Sequence, residues 1–367
     1  MEASVMSNLF ADALGIKEYE TAVARCVIHG AASRLSRALS GDSIRIGFLG
    51  GSVTYGYQSD GSTLANPYPA LLCERLRALF PDKKIEGCNL GFSGTNCLMG
   101  AIAAEAALRA FSPDIVFVEY AVNEETSRSG IARFESLIRK LLRFNGAPAV
   151  VPVALFLKSG YSCEEYMLAV SAQYGLDFCA FQTAFACHLE CGAPDWAAYA
   201  DDGVHPSPAG HTAIADCLFS LIKSAKSAPE QALASPLFSD QYEDMKLISL
   251  MPDTDSGFVR SGESCYCFHE LLETLPCGAE KVLCFSVCSS CCAVVYRLSN
   301  NSETAAEARV FLDGRYVCTL DSFSVFGWGN PAVRMIFDEK TAAPHSIELR
   351  VSGGNKRFVL AAVGADG

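Results

Sequence analysis

Short apolar runs alternate with amphipathic segments between residues 44 and 225, and this alternation is the strongest constraint on the fold. Parallel strands are joined by long crossover connections, usually helices, so the pattern predicts a parallel sheet flanked by helices. The predicted strands lie at residues 44–49, 85–90, 115–121, 149–156 and 176–181. The predicted helices lie at residues 67–80, 98–111, 131–144, 163–174 and 208–223. Pro67 suits the first turn of its helix, and Pro81 ends it.

The character of the sequence changes after Ser224. Residues 226–236 are rich in Ala, Ser and Pro, as in a linker, and the runs that follow are short, alternating and separated by turn residues. Strands are predicted at residues 282–286, 293–298, 308–312, 315–320, 333–337, 346–351 and 357–363. Asp313-Gly314 between two of these runs is typical of a β-hairpin. This part of the chain is predicted to form an antiparallel β-sandwich.

A chain of 367 residues is too long for one ordinary core, and the patterns divide it into four parts. Residues 1–40 are predicted to form a helical extension, 41–226 an α/β domain, 227–240 a linker, and 241–367 a jelly-roll-like β-sandwich. The sequence leaves a homo-oligomer open, with the helical extension as a candidate contact.

The charge balance limits the partners of the chain. Its formal net charge is −12 and its isoelectric point is near 5.0, whereas nucleic acids and anionic membrane surfaces attract clustered Lys and Arg. We therefore expect a small-molecule partner, no nucleic acid and no membrane. Residues 1–30 lack the pattern of a signal peptide, and no apolar run approaches the roughly 20 residues of a membrane span, so we expect a cytoplasmic protein.

The 17 cysteines are scattered through apolar runs of a long chain, which favours reduced core residues over a disulfide framework. One denser group contains a C-x-x-C spacing and raises a zinc hypothesis; its members are Cys265, Cys267, Cys277, Cys284, Cys288, Cys291 and Cys292. No second clean ligand pair follows, and the segment alternates as a strand does. We therefore expect no metal and no cofactor.

Three residue types suited to nucleophilic catalysis occur at strand-end positions. Gly50-Gly51-Ser52 comes directly after the first predicted strand, where an open α/β sheet binds its ligands. Asp202 and His205 come close together far downstream. A serine hydroxyl needs an imidazole to take its proton and a carboxylate to orient that imidazole, so Ser52, His205 and Asp202 are candidates for these roles. Asp201 is a second candidate for the carboxylate.

Each of these motifs also has an ordinary structural interpretation. Gly50-Gly51-Ser52 alone could be a tight turn or a phosphate-binding loop, and His205 alone could be a loop histidine. Two further strand-end loops strengthen the catalytic interpretation, because they could supply donors to an oxyanion. Gly94 lies in the loop after the second strand, and Asn123 lies in the loop after the third.

Four blocks resemble the SGNH, or GDSL-type, hydrolases, a superfamily of esterases and lipases; the match covers about half the chain. The blocks are Gly50-Gly51-Ser52, residues 89–95, Val122-Asn123-Glu124 and residues 202–206. The resemblance implies a flavodoxin-like three-layer αβα fold, Ser52 as nucleophile, His205 as base and Asp202 as its orienting acid. It also implies an oxyanion hole formed by the backbone amides of Ser52 and Gly94 and by the Asn123 side chain. Gly51 and Glu124 depart from the family, which usually has Asp at both positions.

The Gly-Gly-Ser variant resembles a subgroup called carbohydrate esterases, many of which carry an appended β-sandwich. This resemblance implies hydrolysis of small acyl esters, acetyl above all, on an acylated oligosaccharide. The alternatives are a thioesterase or short-chain lipid esterase, and, in another class, a carbohydrate-binding protein with a degenerate hydrolase domain. Trp328 and Asn330 in a glycine-flanked loop, and Glu119 at a strand end, are candidate pocket residues. Trp328 is expected to lean over the Ser52 crevice and to stack on a sugar ring.

Overall fold

The predicted parallel sheet is present in a computed structural model of the chain, which describes residues 9–192, 194–229, 231–276 and 278–367. By its internal contacts the chain divides into two units. One contains the described residues up to Gly100 together with Leu108–Asp240, and the other contains Ala101–Ala107 and Gln241–Gly367. The segment Ala101–Ala107, which groups with the second unit, falls inside a helix of the predicted α/β domain.

The strands of the first unit are β1 (Val27–Ile28), β2 (Ser43–Gly50), β3 (Lys84–Gly91), β4 (Ile115–Glu119), β5 (Ala149–Pro152) and β6 (Phe178–Cys179). Strands β2 to β5 form a parallel sheet in the order β3-β2-β4-β5, and Val153 adds a parallel bridge to Cys179. This order confirms the predicted α/β fold class. The fifth predicted strand shrinks to the two residues of β6, which pair antiparallel with β1. The extension predicted to be helical therefore contributes a short strand.

Helices cover the sheet. They are α1 (Leu9–Leu14), α2 (Ile16–Arg25), α3 (Leu35–Ala38), α4 (Ser52–Tyr55), α5 (Tyr68–Leu79), α6 (Cys97–Ala103), α7 (Arg109–Phe111), α8 (Arg128–Leu142), α9 (Glu164–Gln173), α10 (Phe181–Glu190) and α11 (Pro208–Lys223). A π-helical turn, Ala104–Leu108, joins α6 to α7, and Trp196–Ala198 form a 3₁₀ turn. The five predicted helices are present near their predicted bounds. Helix α10 was not predicted. In the described residues, no helix has the length and apolar character needed to cross a membrane.

The sequence explains where α11 begins and how it packs. The Ser207 hydroxyl accepts a hydrogen bond from the Gly210 amide, and Pro208 occupies the first turn. An N-cap serine followed by proline is a common start of a helix. Ile214 and Leu218, on one face, are fully buried in the same core as Phe48 of β2. Truncating one such buried leucine typically costs about 2–5 kcal/mol. Helix α11 thus holds the loop before it, residues 201–207, against the sheet.

The second unit is an antiparallel sheet domain. Its strands are β7 (Lys246–Leu247), β8 (Phe258–Arg260), β9 (Leu272–Thr274), β10 (Lys281–Ser299), β11 (Glu307–Leu312), β12 (Arg315–Asp321), β13 (Trp328–Val351) and β14 (Val359–Ala365). They pair in the order β12-β11-β13-β10-β14-β9-β8, with β7 on β14. The hairpin at Asp313-Gly314 is present, and both residues have the positive φ that a two-residue hairpin turn favours.

The two longest strands each correspond to two predicted ones. β10 covers residues predicted as 282–286 and 293–298, and β13 covers residues predicted as 333–337 and 346–351. Register shifts near Ser289 and Cys291 interrupt the pairing of β10 with β13 without ending either strand. Bulges of this kind bend a strand, and side chains from both halves of the sheet enter one apolar core. Sequence alternation breaks at such a bulge, which is why each strand was predicted as two.

The predicted linker is anchored to the first unit by Glu135. Its buried carboxylate accepts hydrogen bonds from the amides of Leu237, Phe238 and Ser239 at 2.6–2.8 Å, and from the Tyr174 hydroxyl at 2.6 Å. Charge-assisted bonds of this length are among the stronger hydrogen bonds in proteins. The described part of the linker therefore ends in a fixed segment and not in a free tether.

Replacing Glu135 by Ala should release this segment. The substitution leaves three backbone amides and a tyrosine hydroxyl without their acceptor, at a cost of roughly 1–3 kcal/mol for each group that stays unsatisfied. We expect chymotrypsin to cleave after Phe238 at least about tenfold faster than in the wild type. Glu165→Ala, on the exposed side of α9, is the control. Equal cleavage rates in the two variants would show that Glu135 does not anchor the linker.

Candidate active site

Ser52 lies where the central strand of the parallel sheet ends and a helix begins. Strand β2 ends at Gly50, and the four-residue helix α4 starts at Ser52 itself. A Cβ atom on Gly50 would lie 2.0 Å from the Thr54 hydroxyl, and one on Gly51 would lie 2.2 Å from the Asn123 side-chain oxygen. Neither position has room for a side chain. The Gly-Gly of this chain, in place of the usual Gly-Asp, therefore lets Asn123 lie directly against the turn that carries Ser52.

His205 and Asp202 complete a chain of hydrogen bonds to Ser52. The Ser52 hydroxyl lies 3.0 Å from Nε2 of His205, and Nδ1 of His205 lies 2.8 Å from Oδ2 of Asp202. Ser52 is nearly buried, at 7% exposure, while the side chains of His205 and Asp202 are 16% and 33% exposed. Asp202, and not the exposed Asp201, is the carboxylate at the imidazole. The structure thus brings together the three residues predicted for the catalytic group.

Local hydrogen bonds orient Asp202 and keep it ionised. Its Oδ1 accepts the backbone amides of Val204 and His205, each at 2.6 Å. Partial burial acts to raise the pKa of Asp202, but hydrogen bonds from the His205 ring and from these amides outweigh it, so the pKa is lowered. A negative Asp202 favours the tautomer of His205 that carries its proton on Nδ1, which leaves Nε2 free to accept the Ser52 proton.

The second predicted block is tied to the nucleophile turn. The Phe92 amide donates to the Gly50 carbonyl at 2.9 Å, and the Asn89 side chain donates to the Thr54 carbonyl at 2.8 Å. Gly94 follows in an exposed turn with φ of 71°, a conformation that favours glycine. Among the described residues other than its chain neighbours, no heavy atom lies within 4 Å of the place its Cβ would take. The position of Gly94 is therefore open.

Glu124, the second departure from the family pattern, is a buried structural residue. Its carboxylate accepts Nη2 of Arg133 at 2.6 Å and the Cys97 amide at the start of α6 at 3.1 Å. Its backbone carbonyl accepts the Tyr161 hydroxyl at 2.6 Å. Glu124 is 2% exposed, and its ion pair with Arg133 compensates the burial of the charge. These contacts fix the loop in which Asn123 lies.

Glu119 lies beneath the site and not in the substrate pocket predicted for it. Its side chain has no exposed surface, so it cannot contact a substrate in this structure. Burial raises its pKa to about 7, against the opposing effect of hydrogen bonds from the Thr54 hydroxyl and the Gly51 amide. Its burial is compatible with electrostatic tuning of the site and with a structural hydrogen bond.

Two aromatic residues of the site were not predicted. The Tyr57 ring meets the His205 ring edge to face, with centroids 5.1 Å apart. Nε1 of Trp196 donates to the Asp202 carbonyl at 2.5 Å. Tyr57 lies in an irregular segment and Trp196 begins a short 3₁₀ turn, and the apolar residues around them follow no period, so no sequence signal marked them. His211, on α11, accepts the Tyr68 amide, and burial lowers its pKa to about 3, so it is neutral and structural.

Trp328 and Asn330 lie in the second unit. Trp328 is 40% exposed, and its indole N–H donates to the Tyr266 hydroxyl at 3.2 Å. Asn330 is nearly buried, and its side-chain oxygen accepts the Trp328 amide, so it shapes the loop and presents little surface of its own. Their predicted contact with a substrate stays a prediction.

The cysteine-rich segment shows no metal site in the part of the chain that the structure describes. There, no group of three or more His, Cys, Asp or Glu side chains is placed to hold a metal ion. Cys277 lies outside the described residues. In β10, Cys284 and Cys288 are exposed, whereas Cys291 and Cys292, which lie at the register shifts of this strand, are buried.

A serine held by an imidazole that a carboxylate orients, at the carboxyl edge of a parallel sheet, is the arrangement of serine hydrolases. Residues 48–213 match the GDSL-like lipase/acylhydrolase family. The matched segment contains Ser52, Asp202 and His205 and covers a little under half of the chain.

Two solved structures of a two-domain esterase (CEX) active on acetylated mannans are similar to the chain. The one co-crystallized with mannopentaose has a TM-score of 0.80 and 23% identity, covering 94% of this chain and 97% of the esterase. The other has a TM-score of 0.78 and 24% identity, covering 92% and 95%. These likenesses confirm the fold, an α/β domain followed by an antiparallel sheet domain. No curated protein sequence matches the chain significantly.

The buried carboxyl of Glu119 should make stability depend on pH. Between its ordinary pKa of 4.5 and about 7, the folded state keeps a proton that the unfolded state has lost, so the wild type loses stability as the pH rises through this window. Glu119→Gln replaces the carboxyl by an amide that does not ionise. We expect the difference in free energy of unfolding between Glu119→Gln and the wild type to shift in favour of the variant by up to roughly 3 kcal/mol from pH 4.5 to 7. Above pH 7 this difference should stay constant.

Urea unfolding at half-unit pH steps measures this difference. Glu165→Gln, an exposed carboxyl, is the control and should show no such trend. A difference between Glu119→Gln and wild type that is constant with pH would show that Glu119 ionises as an ordinary carboxyl.

Proposed function

We propose that the protein is a serine esterase that removes small acyl groups, acetyl above all, from carbohydrates. The observation that carries the chemistry is the continuous chain from Ser52 through His205 to Asp202, with contacts of 3.0 and 2.8 Å. Hydroxyl, imidazole and carboxylate are each in reach of the next, as nucleophilic catalysis by serine requires.

The reaction runs in two halves. Ser52 Oγ attacks the ester carbonyl carbon while His205 Nε2 takes the hydroxyl proton, and His205 then gives this proton to the departing sugar oxygen as the carbon–oxygen bond breaks. In the second half, water attacks the acyl-enzyme while His205 takes its proton, and His205 returns the proton to Ser52 Oγ as the acyl–serine bond breaks. This step yields the carboxylic acid and restores Ser52. Asp202, ionised throughout, stabilises the imidazolium formed in each half.

The negative charge on the former carbonyl oxygen requires donors. In this proposal they are the backbone amides of Ser52 and Gly94 and the side-chain amide of Asn123. The Ser52 amide is the first of helix α4, and the Gly94 amide lies in an open turn. The Asn123 side chain lies against Gly51. One such donor is typically worth about 3 kcal/mol of transition-state stabilisation. The tight fit of Asn123 on Gly51 supports its place in this set.

The likeness to an esterase active on acetylated mannans supports a sugar ester as substrate, since it extends over both domains. The partner that we propose is therefore an acylated oligosaccharide. An aromatic face binds a pyranose ring well, and the exposed indole of Trp328 supplies such a face on the second unit.

Ser52→Ala tests the chemistry. Without the nucleophile we expect release of acetate from p-nitrophenyl acetate and from acetylated manno- and xylo-oligosaccharides to fall at least about 10³-fold. Ser171→Ala is the control and should retain activity, since this buried serine donates its hydroxyl to the Met167 carbonyl within α9. Wild-type turnover no faster than that of Ser52→Ala on every ester would favour the non-catalytic, carbohydrate-binding alternative.

A series of p-nitrophenyl esters separates acetyl esterase from lipid esterase activity. We expect kcat/KM to be highest for acetate and to fall by about tenfold or more at butyrate or longer chains, since a pocket fitted to a small acyl group excludes added methylenes. An acyl-CoA thioester serves as the comparison for a thioesterase. A rate that rises with chain length would contradict the acetyl preference.

Trp328→Ala tests the sugar contact. We expect KM for acetylated oligosaccharides to rise about tenfold, a loss of about 1.4 kcal/mol, with kinetics on p-nitrophenyl acetate unchanged because that ester has no sugar. Tyr316→Ala, an exposed aromatic on β12, is the matched control. Unchanged kinetics on the oligosaccharides would exclude Trp328 from substrate binding.

A further inference from the structure

Glu119 contacts the nucleophile turn on both sides of Ser52. It ends strand β4 and stands directly opposite Gly50 in the sheet register. Its Oε2 accepts the Thr54 hydroxyl at 3.2 Å, and the backbone amide of Gly51 hydrogen-bonds the same carboxyl group. Ser52 lies between these two partners in the chain.

The environment of this carboxyl is unusual for a residue with only a packing role. Glu119 is fully buried. Its hydrogen-bond partners are Thr54 and Gly51, and within the described residues no basic side chain forms an ion pair with it. Its Oε1 has no hydrogen-bond partner within the described residues. A buried polar group that is only partly satisfied costs stability, typically about 1–3 kcal/mol, whereas an apolar side chain of similar volume would cost nothing of this kind.

The Thr54 hydroxyl links Glu119 to a second support. It lies 2.8 Å from the hydroxyl of Tyr68 on α5, and both groups are buried. The close approach depends on Gly50, whose missing side chain leaves the space that the Thr54 hydroxyl and the β4 backbone occupy. The turn is thus held from β4 through Glu119 and from α5 through Tyr68.

We propose that Glu119 is a positioning residue for Ser52, holding the Gly51 amide and the Thr54 hydroxyl so that the serine keeps its place against His205. The inference rests on the proposed esterase function. Helix α4 has only four residues and its N-cap, Gly51, makes no side-chain cap bond, so the helix has little rigidity of its own. Misplacement of a reacting group by about 1 Å can lower a rate about 10²-fold.

Glu119→Leu and Glu119→Gln together test this role. Leu fills the volume but holds neither partner, whereas the Gln side-chain oxygen can still accept from Thr54 or Gly51. With p-nitrophenyl acetate we expect kcat of the Leu variant to fall about 10²-fold with KM within about threefold of wild type, and kcat of the Gln variant to exceed that of Leu at least tenfold. A role in packing alone would not separate kcat from KM in this way.

Glu164 provides a matched control. It is also a nearly buried carboxyl held by a threonine, since both the amide and the hydroxyl of Thr183 donate to it, but its partner belongs to α10. Glu164→Leu should lower the melting temperature and leave kcat within about twofold of wild type. Loss of kcat in Glu164→Leu equal to that in Glu119→Leu would overturn the proposal, since any buried carboxyl would then suffice.

Thr54→Val keeps the test decisive if Glu119→Leu does not fold. It removes the hydroxyl that Glu119 binds, and we expect kcat to fall with little change in KM. Added to Glu119→Gln it should lower kcat by less than the product of the two single effects, because Glu119→Gln weakens the same contact that Thr54→Val removes. Fully multiplicative effects, or Glu119→Leu with wild-type kcat, would overturn the proposal. Wild type no faster than Ser52→Ala would instead overturn the esterase function itself.

Discussion

The close approach of three strand ends is the constraint on which the candidate site depends. Gly50 of β2 stands between Gly91 of β3 and Glu119 of β4 in one row of the sheet. Because Gly50 and Gly51 carry no side chains, the hydroxyl of Thr54 and the amide of Asn123 fill the space beside the turn. A Cβ on either glycine would displace one of these groups. The steric demand of the turn thus selects the Gly-Gly-Ser form of the motif.

The two carboxyl groups near this turn, those of Asp202 and Glu119, differ in their pKa. Asp202 is partly exposed and well supplied with donors, so it stays negative beside His205. Glu119 is buried with fewer donors, and its pKa is raised to about 7. The carboxylate beside the imidazole is therefore kept ionised, while the buried carboxyl beneath the nucleophile turn binds its proton more readily than an ordinary carboxyl does.

Buried polar contacts, and not apolar packing alone, connect the loops of the first unit. Glu124 ties the loop of Asn123 to the start of α6, and Glu135 ties the linker to α8 and α9 through its own bonds and the Tyr174 hydroxyl. Removing one partner of such a contact leaves the other unsatisfied in a poorly solvated place. The loops that carry the site residues are therefore held more firmly than their irregular backbone suggests.

The sequence by itself determined the α/β class, the position of the parallel strands and the three residues Ser52, Asp202 and His205, because apolar periodicity and strand-end motifs are local signals. It did not determine the strand β1, the merging of four predicted strands into β10 and β13, or the helix α10, since pairing partners and bulges depend on distant residues. Tertiary structure alone decided the parts played by Tyr57, Trp196 and Glu119. Each acts through a contact with a residue far along the chain or outside any periodic element, and a linear pattern carries no record of such contacts.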